Sequence, residues 1–175
     1  MSLLPQLEHP PLALALSDSH LLRSEVRRAA LFNLIPSPTT LPALLRRTLD
    51  VDTTNRRLAF SHVLAEIPLA SLSVGQRQVV LGRGLRDREE AVRKAARKLV
   101  GRWIEQLAAG EERDGQAILE EFVALFDLHK DEGLGVAEKA LEALFEVRSD
   151  LVESVDFDGP SASLLVLFAS ARCTS

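Results

Sequence analysis

The sequence predicts an all-α fold in which antiparallel helix pairs stack side by side as a solenoid. Leu and Ala dominate the composition, and aromatic residues make up only 5% of the 175 residues, which favours helix packing over sheets. Apolar residues recur at spacings of three and four along several segments, and Pro and Gly separate these segments. Three of the segments also resemble one another at spacings of 29 and 37 residues, which are typical of helical repeats.

The longest amphipathic helix is predicted over residues 87–103. Asp87 is the expected N-cap, and acidic residues come after it in the first turn, where the helix dipole favours anions. A single apolar stripe, which we expect to face the core, contains Val92, Ala95, Ala96, Leu99, Val100 and Trp103. The opposite face is basic. Trp103 ends the stripe and is therefore expected in the core.

Four more helices are predicted before this one, from caps and helix breakers. They cover 20–35, a short stretch after Thr39 or Thr40, 52–67 with Asp52 as N-cap, and a short stretch that Ser73 opens and that weakens at Gly82 and Gly84. In the first of them, Val26, Ala30, Leu31 and Leu34 are expected to be buried.

Three helices are predicted in the second part of the chain, which begins after a charged turn at 110–115. Asp114 is the expected N-cap of the first, residues 130–135 form a loop with two glycines, and the next helix covers 136–147. A short helix is expected over 149–155. The solenoid is thus expected to span 20–158 with about four repeats, between an irregular segment at 1–19 and an atypical apolar tail at 159–175.

Charge divides the predicted solenoid into a basic and an acidic part. Residues 22–103 contain 16 Lys and Arg against 7 Asp and Glu, whereas residues 104–158 contain 4 against 16. The net charge of −4 hides this difference. Two solvated helix surfaces would explain it, and so would a basic part that faces a polyanion.

Several motifs identify a family. The spacing of Asp87, Val92 and Arg93 resembles the second helix of a HEAT repeat. Residues 24–107, including VRRAALFNLIPSPTTLPALLRRTLDVDTTNRRLAFSHVLAEI and LSVGQRQVVLGRGLRDREEAVRKAARKLVGRWIEQ, resemble condensin subunit 3, the G-type HEAT subunit of condensin. The acidic segments ILEEFVALFDL and VAEKALEALFEV are similar to the next segment of that family. The family is much longer than this chain, which would be a portion of it.

The resemblance implies a non-catalytic scaffold that acts in chromosome condensation, in the nucleus and on chromosomes. Members of this family bind the kleisin subunit, and through it the SMC ATPases, and hold double-stranded DNA in a basic groove. No cofactor and no small-molecule substrate are implied. The alternative is a HEAT adaptor that binds only proteins, with the acidic part contacting a basic peptide.

Basic pairs are the candidate contacts for DNA phosphates, because guanidinium and ammonium groups bind phosphate oxygens without reading bases. The candidate DNA-binding residues are Arg46, Arg47, Arg56, Arg57, Arg93, Lys94, Arg97 and Lys98. A structural role is the stronger alternative for Arg27, Arg56 and Arg93, which occupy the HEAT arginine position that often pairs with the repeat aspartate.

Other kinds of site have little support in the sequence. No His is followed by Glu, as the iron ligands of HEAT-like hydroxylases would require, and the Gly82–x–Gly84 spacing lacks a preceding strand and a third Gly. An enzyme is therefore only the third hypothesis. The single Cys excludes an internal disulfide, and the sequence has no stretch of about 18 apolar residues that could span a membrane.

Overall fold

A computed structural model describes residues 23–109 and 114–153, and every regular element in these ranges is helical. The chain divides into two compact units, which meet in sequence between Ile67 and Pro68. The expected segments 1–19 and 159–175 and residues 110–113 of the charged turn lie outside the described residues.

The described residues of the first unit form three α-helices, two of which continue into tighter or wider helical turns. Its elements are α1 (Ser24–Asn33), α2 (Leu41–Arg46) with a 3₁₀ turn (Arg47–Leu49), and α3 (Thr53–Leu58) with a π-helical turn (Ala59–Val63). Helix α1 packs against α3 and its π-helical turn. The buried core of this unit includes Leu31, Leu44, Phe60 and Leu64.

In the second unit, residues 68–109 and 114–153 form four longer helices and one short helix. They are α4 (Val74–Leu85), α5 (Glu90–Ala108), α6 (Gly115–Val123), α7 (Asp131–Val147) and α8 (Asp150–Glu153), and a 3₁₀ turn (Leu69–Ser71) precedes them. Helices α4, α5 and α7 all pack against one another, and α6 packs against α5. Trp103, Ile104, Leu119 and Phe122 are among its fully buried side chains.

Three of the predicted N-caps are confirmed. Asp52 accepts a hydrogen bond from the Asn55 amide at 3.0 Å, and Asp114 accepts one from the Ala117 amide at 2.6 Å. Ser73 forms a reciprocal capping box with Gln76. Each cap satisfies backbone N–H groups that the first turn of a helix leaves without partners.

The cap predicted at Asp87 is wrong. Helix α5 begins at Glu90, and the Asp87 carboxylate instead accepts a hydrogen bond from the Glu89 amide at 2.9 Å, within the turn before the helix. The apolar stripe of this helix is nevertheless confirmed, because all six of its members are buried and Trp103 is fully inaccessible.

The predictions at two pairs of glycines, a weakened helix at Gly82 and Gly84 and a loop at 130–135, are wrong. Helix α4 continues through Gly82 and Gly84 to Leu85, and α7 begins at Asp131 and includes Gly133 and Gly135. At Gly133 a Cβ atom would clash with the Asp127 carbonyl oxygen, so glycine here permits a close approach of two backbones.

One predicted core residue is also wrong. Val26 is 45% exposed, whereas Ala30, Leu31 and Leu34 are buried as expected. Arg27 takes the inward position next to Val26, because its guanidinium group has an acidic partner inside the first unit.

Candidate nucleic-acid interface

A buried ion-pair network lies at the turn between α2 and α3. Arg27 donates to both carboxylate oxygens of Asp50, at 2.8 and 2.6 Å, and Arg47 donates to the same carboxylate at 3.0 Å. The Asp52 amide donates to it as well, at 2.9 Å. All three side chains that carry the charge are at most 6% exposed.

The electrostatics of this network result from burial and hydrogen bonding. Burial alone would raise the pKa of Asp50, but hydrogen bonds from Arg27 and the Asp52 amide, with the charges of both arginines, hold its pKa below the ordinary value. The hydrogen bond with Asp50 raises the pKa of Arg27, whereas burial lowers the pKa of Arg47. Two buried cations therefore depend on one buried carboxylate.

Arg56 and Arg93 have equivalent roles in their two units. Arg56 donates to the carbonyl oxygens of Asp50 and Val51, at 2.9 and 3.3 Å. Arg93 donates to the carbonyl oxygens of Asp87 and Arg88, at 2.6 and 3.0 Å. Each arginine thus binds the carbonyls six and five residues before it, and it ties the turn that precedes a helix to that helix.

These contacts correct the candidate site at two positions. Arg47 is 3% exposed and Arg56 is 6% exposed, so neither guanidinium group is accessible to a DNA phosphate. The reason is that the carboxylate of Asp50 and the carbonyl groups around it are the partners of these cations inside the fold. The expected pairing of the HEAT arginine with an aspartate is seen for Arg27, which donates to Asp50. Arg56 is also buried, but it donates to backbone carbonyl groups.

Four of the candidate cations are exposed. Arg46 and Arg57 lie on the surface of the first unit, and Lys94 and Lys98 lie on the surface of the second unit. None of the four has an ion-pair partner within residues 23–109 and 114–153. Lys94 and Lys98 are four residues apart on α5 and therefore project from the same side of the helix.

The other two candidates, Arg93 and Arg97, are half-buried and share one acidic partner. Glu90 lies at the first position of α5 and forms ion pairs with both guanidinium groups. Arg97 also pairs with Glu146 of α7, at 3.4 Å from its Nε atom. The hydrogen bond from Arg93 lowers the pKa of Glu90 most, and the hydrogen bond from Arg97 lowers it further.

The predicted set also left out three exposed cations on or just before α5. Arg102 is exposed one turn after Lys98, and Arg86 and Arg88 are exposed just before α5. None of the three has a basic neighbour in sequence, so a pattern of adjacent basic pairs does not include them. The i, i+4 spacing of Lys94, Lys98 and Arg102 would have identified the first.

Two other kinds of site find no support in the described parts of the chain. No three His, Cys, Asp or Glu side chains there are grouped so that they could hold a metal ion. Nor is any helix within those parts both long enough and apolar enough to cross a bilayer.

The helical repeats and the run of motifs agree with the findings from comparison with known proteins. No family model matches the chain. It is 35% identical over 136 residues to condensin complex subunit 3 of Schizosaccharomyces pombe, and 40% identical over 81 residues to condensin complex subunit 3 of Homo sapiens. By sequence, the chain belongs to the condensin subunit 3 family. The alignments cover 77% and 46% of the chain, but only 14% and 8% of these two relatives.

The fold of condensin subunit 3 also matches. The chain superimposes with a TM-score of 0.77 and 32% identity on a chain in the crystal structure of the S. pombe condensin Cnd3–Cnd2 subcomplex. The match covers 93% of this chain and 21% of that chain. The structure and this match show the all-α HEAT-repeat fold that the sequence predicts.

Proposed function

We propose that this chain is part of a non-catalytic condensin scaffold that associates with the kleisin subunit and contacts double-stranded DNA without sequence preference. Kleisin association is supported by the relative in the Cnd3–Cnd2 subcomplex, in which Cnd2 is the kleisin. Through the kleisin, the scaffold joins the SMC ATPases and acts in chromosome condensation in the nucleus. The observation that carries the DNA contact is the exposed Lys94 and Lys98 pair, which has no acidic partner in the described residues.

The chemistry of these residues suits phosphate rather than bases. Lysine ammonium groups on one side of a helix attract phosphates as point charges, and phosphate contacts position DNA without reading its sequence. Each neutralised phosphate releases counterions, so the logarithm of the affinity should fall by about 0.9 per contact for each tenfold rise in salt. Arg46 and Arg57 supply similar exposed charges in the first unit.

The test is a salt titration of binding to random-sequence duplex DNA, with the 175-residue chain and the variant K94Q/K98Q. If both lysines contact phosphates, the variant should reduce the slope of log K against log salt by about two. The matched control is K130Q/K139Q, which removes the same charge from exposed lysines that pair with Asp127 and Glu142. A similar slope change in both variants would mean that only net charge matters and that this surface is not the contact.

Failure of the wild-type chain to bind DNA even at low salt would favour the protein adaptor. In that case the acidic part, not the basic part, would carry the interaction. Kleisin association has a separate test, which is co-purification of the chain with kleisin fragments in the absence of DNA. Loss of both interactions would remove the scaffold proposal for this chain.

A further inference from the structure

The first residue of α5, Glu90, is acidic and lies next to the proposed DNA-binding surface on this helix. The Glu90 carboxylate accepts a hydrogen bond from Arg93 Nε at 2.9 Å, and its other oxygen binds Arg97 Nη2. Glu90 is exposed, so solvent and ligands can reach this cluster. One surface carboxylate therefore holds two of the candidate DNA-binding arginines.

Helical geometry separates the cations of α5 into two rows. Arg93 and Arg97 lie three and seven residues after Glu90, so all three residues share one side of the helix. Lys94 and Lys98 each follow one of these arginines in sequence, so they lie about 100° further round the helix. Their ammonium groups have no acidic partner among the described residues, whereas the arginine row is occupied by a carboxylate.

We propose that Glu90 limits the affinity of this surface for DNA by holding Arg93 and Arg97 away from phosphate. The inference rests on the proposed function and assigns an inhibitory role to one residue of the same site. A carboxylate and a phosphate compete for the same guanidinium N–H groups, because both accept hydrogen bonds in the same bidentate geometry. With Glu90 in place, the protein presents its two lysines, and a phosphate must compete with the Glu90 carboxylate for the N–H groups of both arginines. Arg97 Nε also pairs with Glu146, and Arg93 Nη1 also donates to two backbone carbonyl groups.

The test compares E90Q with E89Q by the same salt titration. Both variants remove one negative charge at the start of α5, but the Glu89 carboxylate lies against Arg88, at 3.6 Å, and does not pair with Arg93 or Arg97. E90Q should steepen the slope of log K against log salt by about one, since both arginines lose the carboxylate they share. Arg97 keeps its pair with Glu146, and Arg93 keeps its two carbonyl acceptors, so neither guanidinium group becomes wholly available. At about 50 mM salt the affinity of E90Q should rise roughly three- to tenfold, and E89Q should show less than half of that change.

A second background shows whether the effect acts through the two arginines. In R93Q/R97Q, the additional E90Q substitution should no longer increase affinity beyond the increase that E89Q gives. A persistent increase there would show that Glu90 acts only through its long-range charge, and the inference would be overturned. Circular dichroism at 222 nm should show equal helix content for the wild type, E90Q and E89Q. Because Arg93 and Arg97 are half-buried, E90Q in the R93Q/R97Q background is compared only with R93Q/R97Q itself, and these two variants should also have equal helix content.

The outcomes separate this inference from the proposed function. Suppose that the wild-type chain binds DNA, and that E90Q and E89Q change its affinity equally. The restraint of Arg93 and Arg97 by Glu90 is then refuted, while the proposed DNA contact stands. If only E90Q binds, the restraint is supported in its strongest form. If neither the wild type nor E90Q binds at low salt, both the DNA contact and the restraint fall.

Discussion

Replacing Asp50 by Asn should destabilise the first unit more than any other Asp→Asn or Glu→Gln substitution in that unit. The Asp50 carboxylate accepts hydrogen bonds from Arg27, Arg47 and the Asp52 amide, and it is the acidic partner of two buried guanidinium groups. Asparagine has nearly the same shape, so the packing is preserved. It removes the negative charge and puts an NH₂ donor where one of the arginines needs an acceptor.

The burial of the network sets the size of the loss in the free energy of unfolding. Removing one member of a buried ion pair typically costs about 3–5 kcal/mol, because the partner charge stays buried without compensation. Here two cations lose the carboxylate they share at once, which places the expected loss in that range. Domains are stable by only about 5–15 kcal/mol, so the loss is a large fraction of the total.

Asp52 provides a matched control two residues away. Its side chain is 29% exposed, it caps α3, and it pairs with Arg28 at 3.3 Å. Asparagine caps helices about as well as aspartate, and partly exposed ion pairs contribute little. Asp52→Asn should therefore cost less than about 1 kcal/mol.

Urea denaturation of the 175-residue chain, followed by circular dichroism at 222 nm, measures both variants. For a slope of about 1–3 kcal/mol per molar urea, Asp50→Asn should lower the midpoint by at least about 1 M. Equal shifts for the two variants would refute the reasoning, since buried and exposed carboxylates would then contribute alike. A small loss for Asp50→Asn alone would show that the two guanidinium groups find other partners.

Acid pH and the glycine at the start of α7 should also change the stability of the chain. Because the pKa of Asp50 is held below its ordinary value, its contribution is present above the unfolded-state pKa of about 3.9 and is lost as pH falls through the lower folded-state pKa. Urea midpoints measured from pH 7 to pH 3 should therefore fall on the acid side, and the fall should be smaller in Asp50→Asn. Gly133→Ala should lower the midpoint, because its Cβ would clash with the Asp127 carbonyl oxygen, whereas Gly75→Ala should leave it unchanged or raise stability by up to about 1 kcal/mol. Equal effects of the two alanines in the same urea assay would contradict this.

Helix positions and most of the core could be predicted from the sequence because they depend on local periodicity. The stripe from Val92 to Trp103 is buried in full, and the caps at Asp52, Ser73 and Asp114 form as expected. The start of α7 could not be predicted, because the local preference of Gly133 opposes a helix. Tertiary contact overrides that preference, since only glycine lets α7 approach the Asp127 backbone.

The candidate site was predictable only as a set of charges. A basic pair on a helix places its two residues about 100° apart, so one side chain can face the core while its neighbour faces solvent. Arg56 and Arg57 divide in this way, with Arg56 buried and Arg57 exposed. Charge alone does not show which member of such a pair is internal, since the acceptors of Arg56 are carbonyl groups of a turn. The position of Arg56 in the HEAT pattern is what favours an internal role.

The shared contacts of Arg56 and Arg93 explain why cations recur in this fold whether or not it binds DNA. Each guanidinium group satisfies carbonyl oxygens of the turn before its helix, which a lysine with its single nitrogen would do less well. A basic composition therefore arises partly from the structure of the repeat. The cations that remain available for the proposed DNA contact are those without such a role, such as Lys94 and Lys98, whose ammonium groups have no acceptor in the described residues. Charge counted over the whole basic part therefore overstates the proposed DNA-binding surface, which exposure together with pairing defines.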